Sequence, residues 1–213
     1  MRKNVKKQLA LRVLSTAALV AMVSSIATAA FADTYDLNTG SVTVETKENG
    51  ITYVTQLDNT QKDGYARNDN EDILHDYKDT TGVTITSDGK QTSNTITVET
   101  AKDQTTDVTL DKVHIEVDTA KTKSGAIEIK GDGDTNLELN GNNTVLVKND
   151  WEEEHAAIEK ADKYGKEGTL TIKDDVNDDD KPKTGTDEDT TGKLLAGGYK
   201  DTSAIGGGGT ADL

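Results

Sequence analysis

From Ser41 onward the chain alternates β-branched apolar residues with polar ones in runs only three to five residues long. A period of two places every second side chain on one face of an extended segment, whereas a helix would scatter the same residues around its surface. The runs are Val42–Val44, Ile51–Tyr53, Val83–Ile85, Ile96–Val98, Val108–Leu110, Val113–Val117, Ile127–Ile129, Leu137–Leu139, Val145–Val147 and Leu170–Ile172. Between them lie Gly, Asn and Asp clusters such as Lys130–Asp134 and Asn140–Asn143, residues that tolerate positive φ or bond their own backbone and so make turns. The pattern predicts an all-β fold.

Successive runs beginning at residues 96, 108, 113, 127, 137 and 145 are separated by 12, 5, 14, 10 and 8 residues, so no fixed repeat length exists. A parallel β-helix with corners of variable length gives such spacing, and so does an antiparallel β-sandwich with short strands. Periodicity does not separate the two. Asp58–Thr81 reads as a polar loop or short helix, and the stretch near residues 174–191, with Asp178–Asp180 and Asp187–Asp189, as an acidic insertion. Trp151–Tyr164 carries conflicting signals, because Asp150 and Glu153 resemble a capping box while Ala156–Glu159 also fits a brief strand.

The amino terminus has a different character. Arg2, Lys3, Lys6, Lys7 and Arg12 precede the apolar stretch Val13–Ala30, the layout of a secretory signal peptide, with cleavage expected after Ala32. Removing these five basic residues and no acidic one takes the formal charge from −15 to −20. Such a surface repels phosphate backbones, so nucleic acid is not an expected partner. Nor is membrane insertion expected once the leader is gone. There is no cysteine, which excludes a disulfide framework, and the hydrophobic content of 32% suits thin stacked layers better than a thick globule.

The succession of phrases from Thr95 to Gly209 resembles secreted, β-helix-like repeat proteins of Gram-positive gut bacteria, commonly labelled carbohydrate-binding or adhesin-like. The phrases are Ile96–Val98, Asp107–Ile115, Ser124–Ile129, Asn136–Leu146, Ala157–Glu159, Gly168–Ile172, Gly192–Gly198 and Ser203–Gly208. The resemblance implies a short right-handed parallel β-helix and favours the brief strand at Ala156–Glu159. With the leader read above, the expected domain order is a signal peptide over 1–32, an irregular portion or cap over 33–82, and a solenoid over 83–213. The acidic insertion interrupts the solenoid where such proteins have a short turn, and further rungs are expected beyond Leu213.

Candidate chemistry is sparse. Asp132, Asp134 and Asn136 stand at alternate positions, as oxygen ligands do in calcium loops, although Leu137 occupies the position where those loops turn on glycine. Trp151, Tyr164 and Tyr199 could offer aromatic faces to sugar rings beside carboxylates that bond hydroxyls. Arg67 is the one arginine after the leader, and no serine elbow or cysteine nucleophile is present, so nucleophilic catalysis has no support. The expectation is a noncatalytic, secreted or surface-displayed module contacting glycans or other cell-surface polymers. The alternatives are a polysaccharide lyase or hydrolase and a structural spacer.

Overall fold

The computed structural model describes residues 33–57, 73–79, 82–148, 155–160, 165, 167–174, 192–198 and 203–207. The chain divides into two units, Met1–Phe31 and Ala32–Leu213, and all described residues belong to the second. The segment expected to be a signal peptide, residues 1–32, therefore lies outside the described residues, as do Trp151, Tyr164, Tyr199 and most of the acidic stretch near residues 174–191.

The second unit is mostly strand with almost no helix. Its strands are β1 (Asp33–Asp36), β2 (Val42–Thr46), β3 (Thr52–Leu57), β4 (Ile73–Asp79), β5 (Val83–Thr86), β6 (Gln91–Thr92), β7 (Ile96–Thr100) and β8 (Thr105–Asp111). They continue as β9 (His114–Asp118), β10 (Ile127–Lys130), β11 (Asp134–Asn140), β12 (Asn142–Lys148), β13 (Ile158–Glu159), β14 (Leu170–Asp174), β15 (Lys193–Gly197) and β16 (Ile205–Gly206). One helical turn, α1 (Thr119–Thr122), follows β9 and ends at Lys123 in the left-handed region.

Three sheets form. The first runs β1-β5-β8-β11-β14, the second β6-β9-β12-β15, and the third β4-β3-β2-β7-β10-β13-β16. Every pairing is parallel except β2 with β3 and β3 with β4. From β5 onward the chain visits the first, second and third sheets in that order four times, and each strand except β6, the first of its sheet, pairs with its counterpart one circuit earlier.

Register carries the alternation from circuit to circuit. In the first sheet Val83, Val108, Leu137 and Ile172 align, and in the third Val42, Ile96, Ile127, Ile158 and Ile205. Ile115 and Val145 meet in the second. All of these except the exposed Ile205 join one apolar core, in which Ile96, Val108, Ile115, Ile127, Leu137, Val145 and Ile158 are fully buried. The β-branched residues fit because each packs on a similar residue directly above it.

Each sequence run above falls within or overlaps a strand. The structure departs from the pattern in residues 33–82. Strands β1 and β2 are not irregular but are aligned in register with β5 and β7, and Ile73–Asp79 is a strand rather than loop or helix. Its antiparallel pairing with β3 supplies the ladder that local polarity does not announce. At Ala156–Glu159 the brief strand prevails, because β13 sits between β10 and β16.

Polar groups close the corners. Between the third and first sheets, Thr106 donates to Thr46 at 2.6 Å, Thr100 meets Thr106 at 2.7 Å, and Thr100 meets Thr135 at 3.1 Å. All four threonines are buried, so each hydroxyl satisfies the next where water does not reach. Between the first and second sheets, the buried Asn143 accepts the Val113 N–H at 2.9 Å and donates to the Asn140 carbonyl at 3.1 Å.

Candidate functional site

The Thr46 and Thr100 corner opens outward into a cleft of about 630 Å³ lined by Glu45, Lys47, Glu48, Asn49, Glu99, Lys102 and Asp132, among others. Its geometry follows from the ladder. Val44 pairs with Val98 and both point inward, so Glu45 and Glu99, register partners one residue on, point outward side by side. Neighbouring strands are about 4.8 Å apart, which brings like charges close. Lys47 relieves this by forming an ion pair with Glu45, and the bond to Glu45 holds its ammonium above the ordinary lysine range.

Tyr53 flanks the cleft's Glu45 from β3, outside the lining of the cleft itself. It lies opposite Glu45 in the antiparallel β2–β3 pair, is half-buried, and shares the outward face because its neighbour Val54 is buried beneath. The β2–β3 turn is fixed by Gly50 at φ 72° and by the Gly50 N–H donating to the Lys47 carbonyl at 2.9 Å. Gln104 donates across to the Glu48 carbonyl at 3.3 Å, tying this turn to the one in the next circuit. An aromatic face, two adjacent carboxylates, an ammonium and an amide thus meet on one open, polar surface.

Tyr53, Glu45 and Glu99 escape the sequence reading, which looked to Trp151, Tyr164 and Tyr199 for aromatic faces. A signal for the carboxylates was present: Val42-Thr-Val-Glu-Thr46 and Ile96-Thr-Val-Glu-Thr100 are nearly the same pentapeptide. Aligning the two phrases puts the glutamates on one face of adjacent strands. Nothing local to Tyr53 marks it, since its place depends on the antiparallel pairing.

The candidate calcium residues occupy the same corner one circuit on. A Cβ on Gly131 would collide with the Thr100 carbonyl, and one on Gly133 with the Ala101 carbonyl, so both glycines permit the corner to rest on the circuit below. Asp132 and Asp134 face the circuit above. Asp132 Oδ1 accepts the Glu167 N–H at 3.2 Å, and Asp134 Oδ1 accepts the Thr169 N–H at 2.7 Å and hydroxyl at 2.9 Å. The Thr169 N–H, then its hydroxyl, hold the Asp134 carboxyl below the usual aspartate value. Asn136 donates to Asp107 Oδ1 at 2.8 Å, on the neighbouring strand. The alternating glycines and aspartates are thereby accounted for by stacking, and among the described residues no group of three or more His, Cys, Asp or Glu side chains could hold a metal.

A second titratable cluster lies on the outward side of the third sheet. His155 Nδ1 and Glu159 Oε2 are 2.7 Å apart with exposures of 2% and 0%, and Glu128 is the register partner of Glu159. Lys130 Nζ reaches Glu128 Oε2 at 2.9 Å. Their burial makes this cluster an anchor for β13 rather than a surface open to ligand. His114, the remaining described histidine outside β4, is half-exposed between the buried Val113 and Ile115.

Comparison with known proteins finds no matching family model, no matching curated protein and no matching solved structure.

Proposed function

We propose that this chain is a secreted or surface-displayed, noncatalytic module built on a short right-handed parallel β-helix, and that it contacts carbohydrate through the cleft at Glu45 and Glu99, with Tyr53 flanking it on β3. The recurring order of the three sheets and the in-register parallel ladders support the β-helix. The handedness rests on the strong preference of parallel crossover connections for the right-handed sense. Export rests on the basic and apolar leader.

The observation that carries glycan contact is an open polar cleft holding Glu45 and Glu99 side by side, with Tyr53 next to Glu45 on the flanking strand. Sugar rings present apolar C–H faces and hydroxyl edges, and an aromatic ring next to carboxylates answers both. The test is a screen of the full chain on immobilised bacterial and host glycans, repeated with Tyr53→Ala and Glu99→Gln. Binding that both substitutions abolish, with the circular dichroism spectrum unchanged, is the expected result. Binding insensitive to both substitutions overturns the assignment of this cleft.

A hydrolase is the second reading, favoured by the adjacency of Glu45 and Glu99, since glycosidases work with paired carboxylates. Release of reducing sugar that Glu99→Gln removes would establish that reading in place of the first.

A further inference from the structure

We infer that Asn49, on the β2–β3 turn that lines the cleft, is a site of spontaneous deamidation, converted by its own backbone and water to a mixture of aspartate and isoaspartate. The sequence holds two Asn-Gly steps, Asn49–Gly50 and Asn140–Gly141. Asparagine is a labile residue, and most so before glycine, whose N–H has no side chain beside it to hinder approach to the amide carbon. Both glycines stand at positive φ, 72° and 64°, so backbone type does not separate the two steps. Their surroundings do.

Asn49 and Gly50 are exposed. The Gly50 N–H donates to the Lys47 carbonyl at 2.9 Å, and the Ile51 N–H donates to Asn49 Oδ1 at 3.1 Å. The first bond must open to free the attacking nitrogen, and an exposed turn opens locally without disturbing the ladders. The second polarises the carbonyl that is attacked and meets the oxyanion that forms on it. Asn140 instead ends β11 in register with Asp111, and its carbonyl accepts the Lys112 N–H at 3.1 Å. Gly141 is buried, and its carbonyl accepts the Lys193 N–H at 2.8 Å from the next circuit. Ring closure there requires rotating a peptide held by the circuits on both sides.

The reaction needs no co-reactant but water. The Gly50 nitrogen gives up its proton and its electron pair forms a bond to Asn49 Cγ. The Cγ–Nδ2 bond then breaks, and ammonia leaves carrying that proton. Water opens the resulting cyclic imide at either carbonyl. Opening at Cγ restores the main chain with an aspartate side chain, and opening at the main-chain carbonyl gives isoaspartate, whose backbone runs through the former side chain. Either product adds a carboxylate beside Glu45, Glu48 and Glu99 in the cleft. Isoaspartate also lengthens the turn by one main-chain carbon, next to the Glu48 carbonyl that Gln104 binds. The chemistry is independent of what the cleft binds.

The experiment is mass-spectrometric peptide mapping of the full chain aged at neutral and mildly alkaline pH, folded and in urea, with fragmentation spectra distinguishing isoaspartate from aspartate. In the folded chain Asn49 should convert about tenfold or more faster than Asn140, a gap set by the local opening that each site requires. Both products should form, faster at the higher pH because the deprotonated nitrogen is the nucleophile, and the gap should close in urea. Equal rates in the folded chain, faster loss at Asn140, or an Asn49 amide that persists would each overturn the inference. So would a gap that survives in urea, which would trace it to neighbouring residues rather than to the turn, or aspartate without isoaspartate, the mark of direct hydrolysis.

Discussion

Asp134 accepts both the main-chain N–H and the hydroxyl of Thr169, a residue one full circuit further along the chain. The bond is made to the carboxylate, and it depresses the carboxyl below the ordinary value of 3.8. A depressed folded-state pKa contributes stability above the unfolded value, and that contribution is lost as pH falls through the folded value. Asp134→Asn should therefore melt below wild type at neutral pH and converge with it in acid below the carboxylate range. Thermal unfolding across that range checks this, and a difference that does not shrink in acid would count against the bond.

Gly133 and Gly89 separate two costs that a glycine can hide. A Cβ at Gly133 meets the Ala101 and Gln104 carbonyls, so Gly133→Ala should lose about 1–3 kcal/mol through overpacking against backbone. A Cβ at Gly89 would meet no neighbour within 4 Å, but φ is +69°, and Gly89→Ala should lose only about 1 kcal/mol to the left-handed backbone. Urea unfolding of the two variants gives the order directly.

Ile127 lies between Ile96 and Ile158 in the third sheet and is fully buried. Ile127→Ala should cost about 2–5 kcal/mol, the lost transfer energy plus a cavity that regular ladders above and below cannot collapse to fill. Leu195→Ala, at an exposed position, should stay within about 0.5 kcal/mol of wild type.

Thr100 joins the hydroxyls of Thr106 and Thr135 inside a corner. Thr100→Val keeps the shape but leaves a buried hydroxyl without this partner, and should cost about 1–3 kcal/mol. A double-mutant cycle with Thr135→Val should recover part of that loss, since removing both members leaves less unsatisfied polarity. Strictly additive losses would show that the two hydroxyls are not coupled.

The strands were legible because each inward residue carries its own period-2 signature. Val108, Leu137 and Ile172 announce themselves locally. What the pattern withheld is the pairing. Val83 aligns with Val108 after 25 residues, Val108 with Leu137 after 29, and Leu137 with Ile172 after 35, so register partners in the first sheet recur at no fixed spacing. Corner lengths absorb the difference, and a search for a repeat period sees the corners as noise. Strand β4 was illegible for a related reason, because its ladder partner β3 decides its conformation more than its own residues do. At the candidate cleft, Glu45 and Glu99 were within reach of a phrase alignment, whereas Tyr53 needed the hairpin. Asp132 and Asp134 suggested a cation loop because alternating oxygens serve two ends, ligating an ion or receiving the N–H groups of a neighbouring turn.

The unequal circuits have a consequence for descent. In the third sheet, Ile96 and Ile127 are 31 residues apart and so are Ile127 and Ile158, yet Ile158 and Ile205 are separated by 47 without a break in register. Chain length is thus stored at the corners and the ladders do not meter it. Mutation can lengthen, shorten or recharge a connection while the frame beneath is conserved, so two descendants could differ widely in what they display and still be built on the same three walls.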